Sequence, residues 1–269
     1  PTTCFEHIDL SIFSNMGALE KLLYVLDLLA SFILTRFPYV CILTLLLHAG
    51  QRKLKQPETW FEAMFEPTYV HAIIYFICGG GMTVDTTRRV SGLGAALHTG
   101  FFAVKTLVKP HVSEWLMIKM FARYVSIAGG YLLVAGGLVD SKKSSNLRPG
   151  LLQLGRQTQA FYSIFNGYLL WASPADRAVH ISHLPLGRFM TTCLIILFIL
   201  CGIMLYGGLQ VPYFARLVAW MLVIVTVFVE FDTRYWKIRG VAFWDQVLIG
   251  SQNICAIANL IILGRIRQW

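Results

Sequence analysis

The chain has 269 residues, 56% of them apolar, with 23 Lys and Arg against 14 Asp and Glu and a formal charge of +9. Soluble domains run at roughly 45–50% apolar, so this composition, with a mean hydropathy of +0.61, excludes an ordinary soluble domain and indicates an all-α polytopic membrane protein. The basic balance is not that of a nucleic-acid binder: Lys and Arg stand in short groups between apolar runs, where they meet lipid phosphates.

In chain order, residues 1–16 hold Glu6 and Asp9 and no Lys or Arg, so they are not themselves a transit peptide. The chain begins at Pro1 without an initiator methionine, which reads as removal of one methionine or of a longer presequence. Residues 17–35 place Leu19, Leu22, Leu23, Leu26, Ala30 and Ile33 on one helical face and Glu20, Tyr24, Asp27 and Ser31 on the other, an amphipathic helix at the interface or against a partner. Pro38 marks a kink or a fresh start, and residues 37–51 form a short first span that continues the same helix. Further spans are expected at 67–83, 90–108 and 115–139, separated by DTTRR and KPHVSE. The polar stretch DSKKSSNLRPG, residues 140–150, is the linker between two halves. Spans at 151–173, 189–209, 212–231 and 243–264 follow, with a loop at 174–188.

The two halves repeat. Advancing by 127 residues carries Gly80, Gly81, Arg89, Thr99, Thr106, Ile127 and Gly137 onto Gly207, Gly208, Arg216, Thr226, Thr233, Ile254 and Gly264 without a gap. Arg36 falls on Arg156 at an offset of 120, the difference being absorbed between Pro174 and Arg188. The expected organisation is an N-terminal segment at 1–35, a first four-helix unit at 36–139, the linker, a second unit at 151–264 and a tail at 265–269. That makes about eight transmembrane helices in two tandem units. Four spans per unit is an even number, so the units are parallel rather than inverted. Lys and Arg are balanced between the two sides, and the positive-inside rule does not orient the chain.

Several stretches carry a family resemblance. MFARYVSIAGGYLLVAGG, residues 120–137, resembles the last helix of DoxX-like membrane proteins and of the Surfeit-locus cargo receptor of the endoplasmic reticulum. LTRFP at 34–38, HLPLGRFM at 183–190 and RYWKIRGVAFWDQVLIG at 234–250 resemble, in order and spacing, the transmembrane protein 101 family. The resemblance implies a bundle of two DoxX-like four-helix units and carries no reaction, cofactor or metal with it.

Arg123 opens an apolar helix with two glycine pairs, Gly129-Gly130 and Gly136-Gly137. It reads either as a buried ion pair or anion site, with Glu230 or Asp232 as partner, or as an arginine reaching lipid phosphate. Arg89 and Arg216, with Arg36 and Arg156, are lipid-anchor or ion-pair candidates at helix entrances. His48 and His98 are intramembrane polar candidates that relay protons, ligate a metal, or simply bond a neighbouring helix. His180 and His183 have metal-pair spacing with only Asp176 as a third ligand, too few for zinc. Gly79-Gly80-Gly81 is a packing element and not a phosphate loop. Cys41, Cys78, Cys193, Cys201 and Cys255 lie in apolar runs and only Cys4 lies outside, so the cysteines act as small hydrophobes.

With no convergent catalytic set, cofactor motif or metal motif, the expected function is a non-catalytic accessory subunit of a larger membrane complex, contacting other subunits and phospholipids. The mitochondrial inner membrane, with its respiratory chain, is the favoured location. The alternatives are a cargo receptor of the endoplasmic reticulum, and a redox-associated or small-solute transport protein. The C-terminal GRIRQW lacks a KDEL-type retrieval signal.

Overall fold

The computed structural model describes residues 17–53, 67–107, 114–139, 147–232, 236, 241 and 243–266. The expected N-terminal acidic segment and the end of the tail therefore lie outside the described residues, as do residues 140–146 of the linker.

The architecture is all-helical. Helix α1 (Ala18–Lys53) is followed by α2 (Pro67–Thr83), α3 (Arg88–Thr106), α4 (Glu114–Ala135), α5 (Pro149–Ala172), α6 (Pro174–His183), α7 (Arg188–Gly207) and α8 (Val211–Val225). A π-helical turn, Thr226–Glu230, extends α8, and α9 spans Phe243–Leu263.

Helix α1 runs through Pro38 without a break, so the amphipathic segment and the first span are one helix. Its start is held by Glu20, whose carboxylate accepts the Gly17 N–H at 3.2 Å. Near the proline, the Thr35 and Thr44 hydroxyls donate back to Ser31 and Val40 carbonyls, tying polar side chains into the helix itself.

The segment expected as a loop at 174–188 is a correction: its first ten residues are α6. Ser173 caps that helix by accepting the Asp176 N–H at 3.3 Å, and Pro174 stands in the first turn, where its missing N–H costs nothing. The start of α5 reaches into the expected linker, and the Arg148 N–H donates to the Gly136 oxygen, pinning α5 to the end of α4.

Among the described residues, five helical stretches are long and apolar enough to cross a membrane: Glu20–Leu47, Trp115–Ala135, Arg188–Gly207, Val211–Glu230 and Gln246–Leu263. Tyr69–Thr83 is apolar but shorter. Helices α3 and α5 carry too many polar groups to join them. Arg88, Thr99 and Thr106 of α3 and Gln159 and Ser163 of α5 are buried against neighbouring helices. The outer surface is correspondingly apolar, with Phe76, Leu97, Ile203 and Trp220 all exposed, as suits a chain bathed in lipid.

Helix α4 packs against α3, α5 and α9, and α9 packs against α1, α4 and α8. The remaining layers are α1 on α2, α2 on α3, α5 on α7 and α7 on α8. The α4–α9 contact is the centre, where Ile127, Tyr131, Leu133, Leu260 and Ile262 are fully enclosed.

Candidate functional site: a buried polar seam

The seam begins with helical periodicity. Trp115, Lys119, Arg123, Ser126 and Gly130 recur every three or four residues along α4 and so line one face. That face looks inward, towards α6, the π-helical turn, α9 and α5. Charge buried there is costly unless the protein meets it.

Arg123, 4% exposed, is met twice. Its Nε donates to Asn253 Oδ1 of α9 at 2.8 Å, and its Nη2 donates to both carboxylate oxygens of Glu230 at 2.7 and 2.9 Å. The Glu230 side chain is 7% exposed. It sits on the last residue of the π-helical turn, whose extra residue alters the direction in which this carboxylate leaves the helix. Trp236 Nε1 donates to the Glu230 backbone oxygen at 2.8 Å, holding that turn from the other side.

One turn before Arg123, Lys119 Nζ lies 3.2 Å from Asp176 Oδ2 and 4.3 Å from the centre of the Trp115 ring. Trp115 Nε1 donates to the same Asp176 oxygen at 2.6 Å. Asp176 is 1% exposed, so α6 is tied to α4 by a carboxylate that both Lys119 and the Trp115 indole meet. His180, also buried, donates from Nδ1 to the Asp176 backbone oxygen at 2.7 Å. Burial pushes the His180 imidazole below its ordinary value of 6.5, with nearby Lys119 acting in the same direction. His183 places Nε2 3.0 Å from Asp232 Oδ2, a second tie between α6 and the segment after the π-helical turn.

Deeper in the bundle, Ser126 is clamped from two sides. Its hydroxyl donates to Gln159 Oε1 at 2.9 Å, while Gln159 Nε2 of α5 and Asn259 Nδ2 of α9 donate to its backbone oxygen at 2.6 and 3.0 Å. Gly129 and Gly130 make this possible. A Cβ on Gly129 would strike the Thr158 side chain, and one on Gly130 would strike Asn259.

At the opposite end of the bundle, arginines sit on helix-end glycines. The Arg89 guanidinium lies against Gly137 at the end of α4, and Arg216 lies against Gly264 at the end of α9. Arg156 lies against Gly208 after α7, where its Nη2 donates to the Tyr206 oxygen at 3.4 Å. These are the places where a helix leaves carbonyls without partners and where cations are favoured. Arg36 instead lies 5.8 and 5.9 Å from the Phe32 and Tyr39 ring centres.

His98 sits between α2 and α3, its ring 5.1 Å from that of His71 and 4.7 Å from that of Tyr75. His71 Nδ1 and His98 Nε2 are buried and find no hydrogen-bond partner among the described residues. The His48 side chain lies outside the described residues. Among the described residues, no three His, Cys, Asp or Glu side chains gather as a metal site.

The structure therefore brings Arg123 and Glu230 together and leaves the other candidate arginines and His98 apart from them. Lys119, Asn253, Gln159 and Asn259 are not singled out by the sequence, and Asp176 enters there only as a third ligand beside His180 and His183. Their signal was the spacing of Lys119, Arg123 and Ser126, which puts three polar groups on one stripe of an otherwise apolar helix.

No solved structure matches the chain. The family model of the TMEM101 protein family matches residues 19–266. With nearly the whole chain covered, this protein belongs to the TMEM101 protein family.

Proposed function

We propose that the chain is a non-catalytic structural or accessory subunit of a larger membrane complex. The observation that carries this reading is the Arg123 node. Its contacts to Glu230 and Asn253, with those of Ser126 and Asp176, join α4 to α5, α6, α9 and the π-helical turn, so the polar groups of the seam hold helices to one another. Such a bundle presents a fixed, apolar outer surface to lipid and to neighbouring subunits.

The fuller architecture in this reading is two tandem, parallel, DoxX-like four-helix units with about eight spans. Two relationships support it. Arg89 seats on Gly137 as Arg216, 127 residues later, seats on Gly264, the position 127 after Gly137. Likewise α4 of the first unit packs on α5 of the second, and α9 of the second packs on α1 of the first. In this reading α6 is an addition within the second unit.

The mitochondrial inner membrane is the favoured location, with respiratory-chain subunits as partners and phospholipids at the basic helix ends, including Arg36. The test is extraction of native membranes in mild detergent, native separation, and mass spectrometry of what comigrates. Stable comigration with respiratory-chain subunits supports the reading. Migration alone, or with secretory-pathway and vesicle-coat proteins, overturns it, the latter in favour of a cargo receptor.

A further inference from the structure

Between α6 and α7 the chain makes a tight turn in which the Gly187 N–H donates to the Leu184 oxygen at 3.1 Å. Pro185 occupies the second position of that turn and Leu186 the third, with φ of +64°. This is the position where glycine or asparagine is favoured, because a Cβ is crowded there. A leucine at this place is strained, and its side chain gains little from the protein in return, being 76% exposed. In water both facts argue against leucine. Something apolar outside the chain must reward it.

The neighbourhood says what that is. Phe189, one turn along, is 69% exposed, and Ile181 of α6 is exposed as well. Leu186 and Phe189 continue, towards the end of the bundle, the outward stripe of Ile196, Leu200 and Ile203 on α7, a helix long and apolar enough to cross the membrane. Arg188 is exposed between them, placed where a headgroup phosphate would sit. Helix α6 keeps its polar edge, Asp176 and His180, against the bundle.

We propose that the elbow at residues 185–189 inserts into the acyl-chain edge of the bilayer, making α6 an interfacial helix and the elbow a phospholipid-binding surface. Leu186 and Phe189 enter the hydrocarbon, and Arg188 meets the phosphate. The same cover that lies over α7 continues over the turn. This inference rests on the membrane-spanning character of α7 and is independent of which complex the chain joins.

The test replaces Leu186 with photoreactive p-benzoyl-phenylalanine in the full chain, in its native membrane, and identifies adducts after illumination by mass spectrometry. Phospholipid adducts, as abundant as those from the same residue at Leu200, are expected. Adducts to another protein would show that a partner subunit covers the elbow, and adducts to neither would show that it faces water; both overturn the proposal, while the former would favour the subunit reading. A second variant, Leu186→Asn, reads the sign of the effect in reconstituted bilayers. Asparagine suits the left-handed turn, so a water-facing elbow would melt at higher temperature with it. A lowered melting midpoint is expected, and a raised one overturns the proposal.

Discussion

Arg123 of α4 grips both carboxylate oxygens of Glu230, 107 residues later, and both side chains are almost wholly enclosed. A lone arginine at the centre of a membrane helix costs about 2.5–3.5 kcal/mol on insertion scales. The pair cancels much of that, and Asn253 takes a further N–H. What the arrangement secures is register: α4, α9 and the π-helical turn can dock in one way only if both charges are to be met.

Removing one partner should therefore hurt more than removing both. Arg123→Leu leaves Glu230 buried and uncompensated, with an expected loss of about 3–5 kcal/mol. The double variant Arg123→Leu, Glu230→Leu should recover a large part of it. Denaturant unfolding in mixed micelles, run as a double-mutant cycle, measures the difference. Additive losses would show that the two side chains act independently.

The glycines of α4 give a second test. Gly130→Ala must displace the Asn259 side chain, and Asn259 then loses its bond to the Ser126 oxygen. The expected cost is about 1–3 kcal/mol, the range for overpacking a filled core. At Gly100 in α3 a Cβ would have none of the described residues within 4 Å, so Gly100→Ala should be neutral or stabilising by about 0.5–1 kcal/mol. Thermal midpoints of the two variants should move in opposite directions.

Much of this was legible beforehand, and what was not has physical causes. The apolar runs place the long helices, and Arg123 stands out because charge in an apolar run demands an explanation, with Glu230 as one of two possible partners. The choice of Glu230 over Asp232 was not legible, since it depends on a π-helical turn whose extra residue leaves no mark in hydrophobic periodicity. Helix α6 lies within the stretch from Pro174 to Arg188 that reads, with Pro185 in it, as a loop. Yet Ser173-Pro174-Ala175-Asp176 is a helix-start pattern, and it does cap the helix. Lys119 draws no notice in the sequence, because the Asp176 that meets it comes from α6, 57 residues away. His71 lies near the start of α2, where a histidine passes for interfacial, and only its contact with His98 gives it context.

The pH dependence of α6 follows from His180. The groups facing it are Asp176 on its own helix, Lys119 from α4 and Glu230 from the π-helical turn. Its folded value lies below the ordinary 6.5, so the unfolded segment binds a proton more readily than the folded one. The sign is then fixed: the contribution of neutral His180 is fully present above about pH 6.5 and is lost as pH falls towards the folded value. Amide hydrogen exchange across α6, corrected for intrinsic rates, should show weaker protection at pH 5 than at pH 7.5. His180→Asn retains an N–H donor without a titrating group and should flatten the difference. An unchanged pH response in that variant would assign the effect to another group.

The arginine seats at the far ends of α4 and α9 make the last prediction, and they differ in a way that ranks them. Gly137 has φ of +90°, and a Cβ there would stand 2.7–3.1 Å from atoms of the Arg89 guanidinium. Gly264 has no such backbone requirement, and a Cβ there would stand 3.1 Å from the Ile261 oxygen and 3.3 Å or more from Arg216. Gly137→Ala must therefore strain the backbone, at about 1–2 kcal/mol, and also push the guanidinium off the end of α4. Gly264→Ala meets the Ile261 backbone oxygen at 3.1 Å as well as the Arg216 side chain, so it asks for an adjustment of both but adds no left-handed backbone strain. The first should lower the melting midpoint clearly and the second little, although the two glycines correspond in the repeat. Equal losses would mean that the arginine contact, shared by both, dominates over the left-handed backbone, which only Gly137 has.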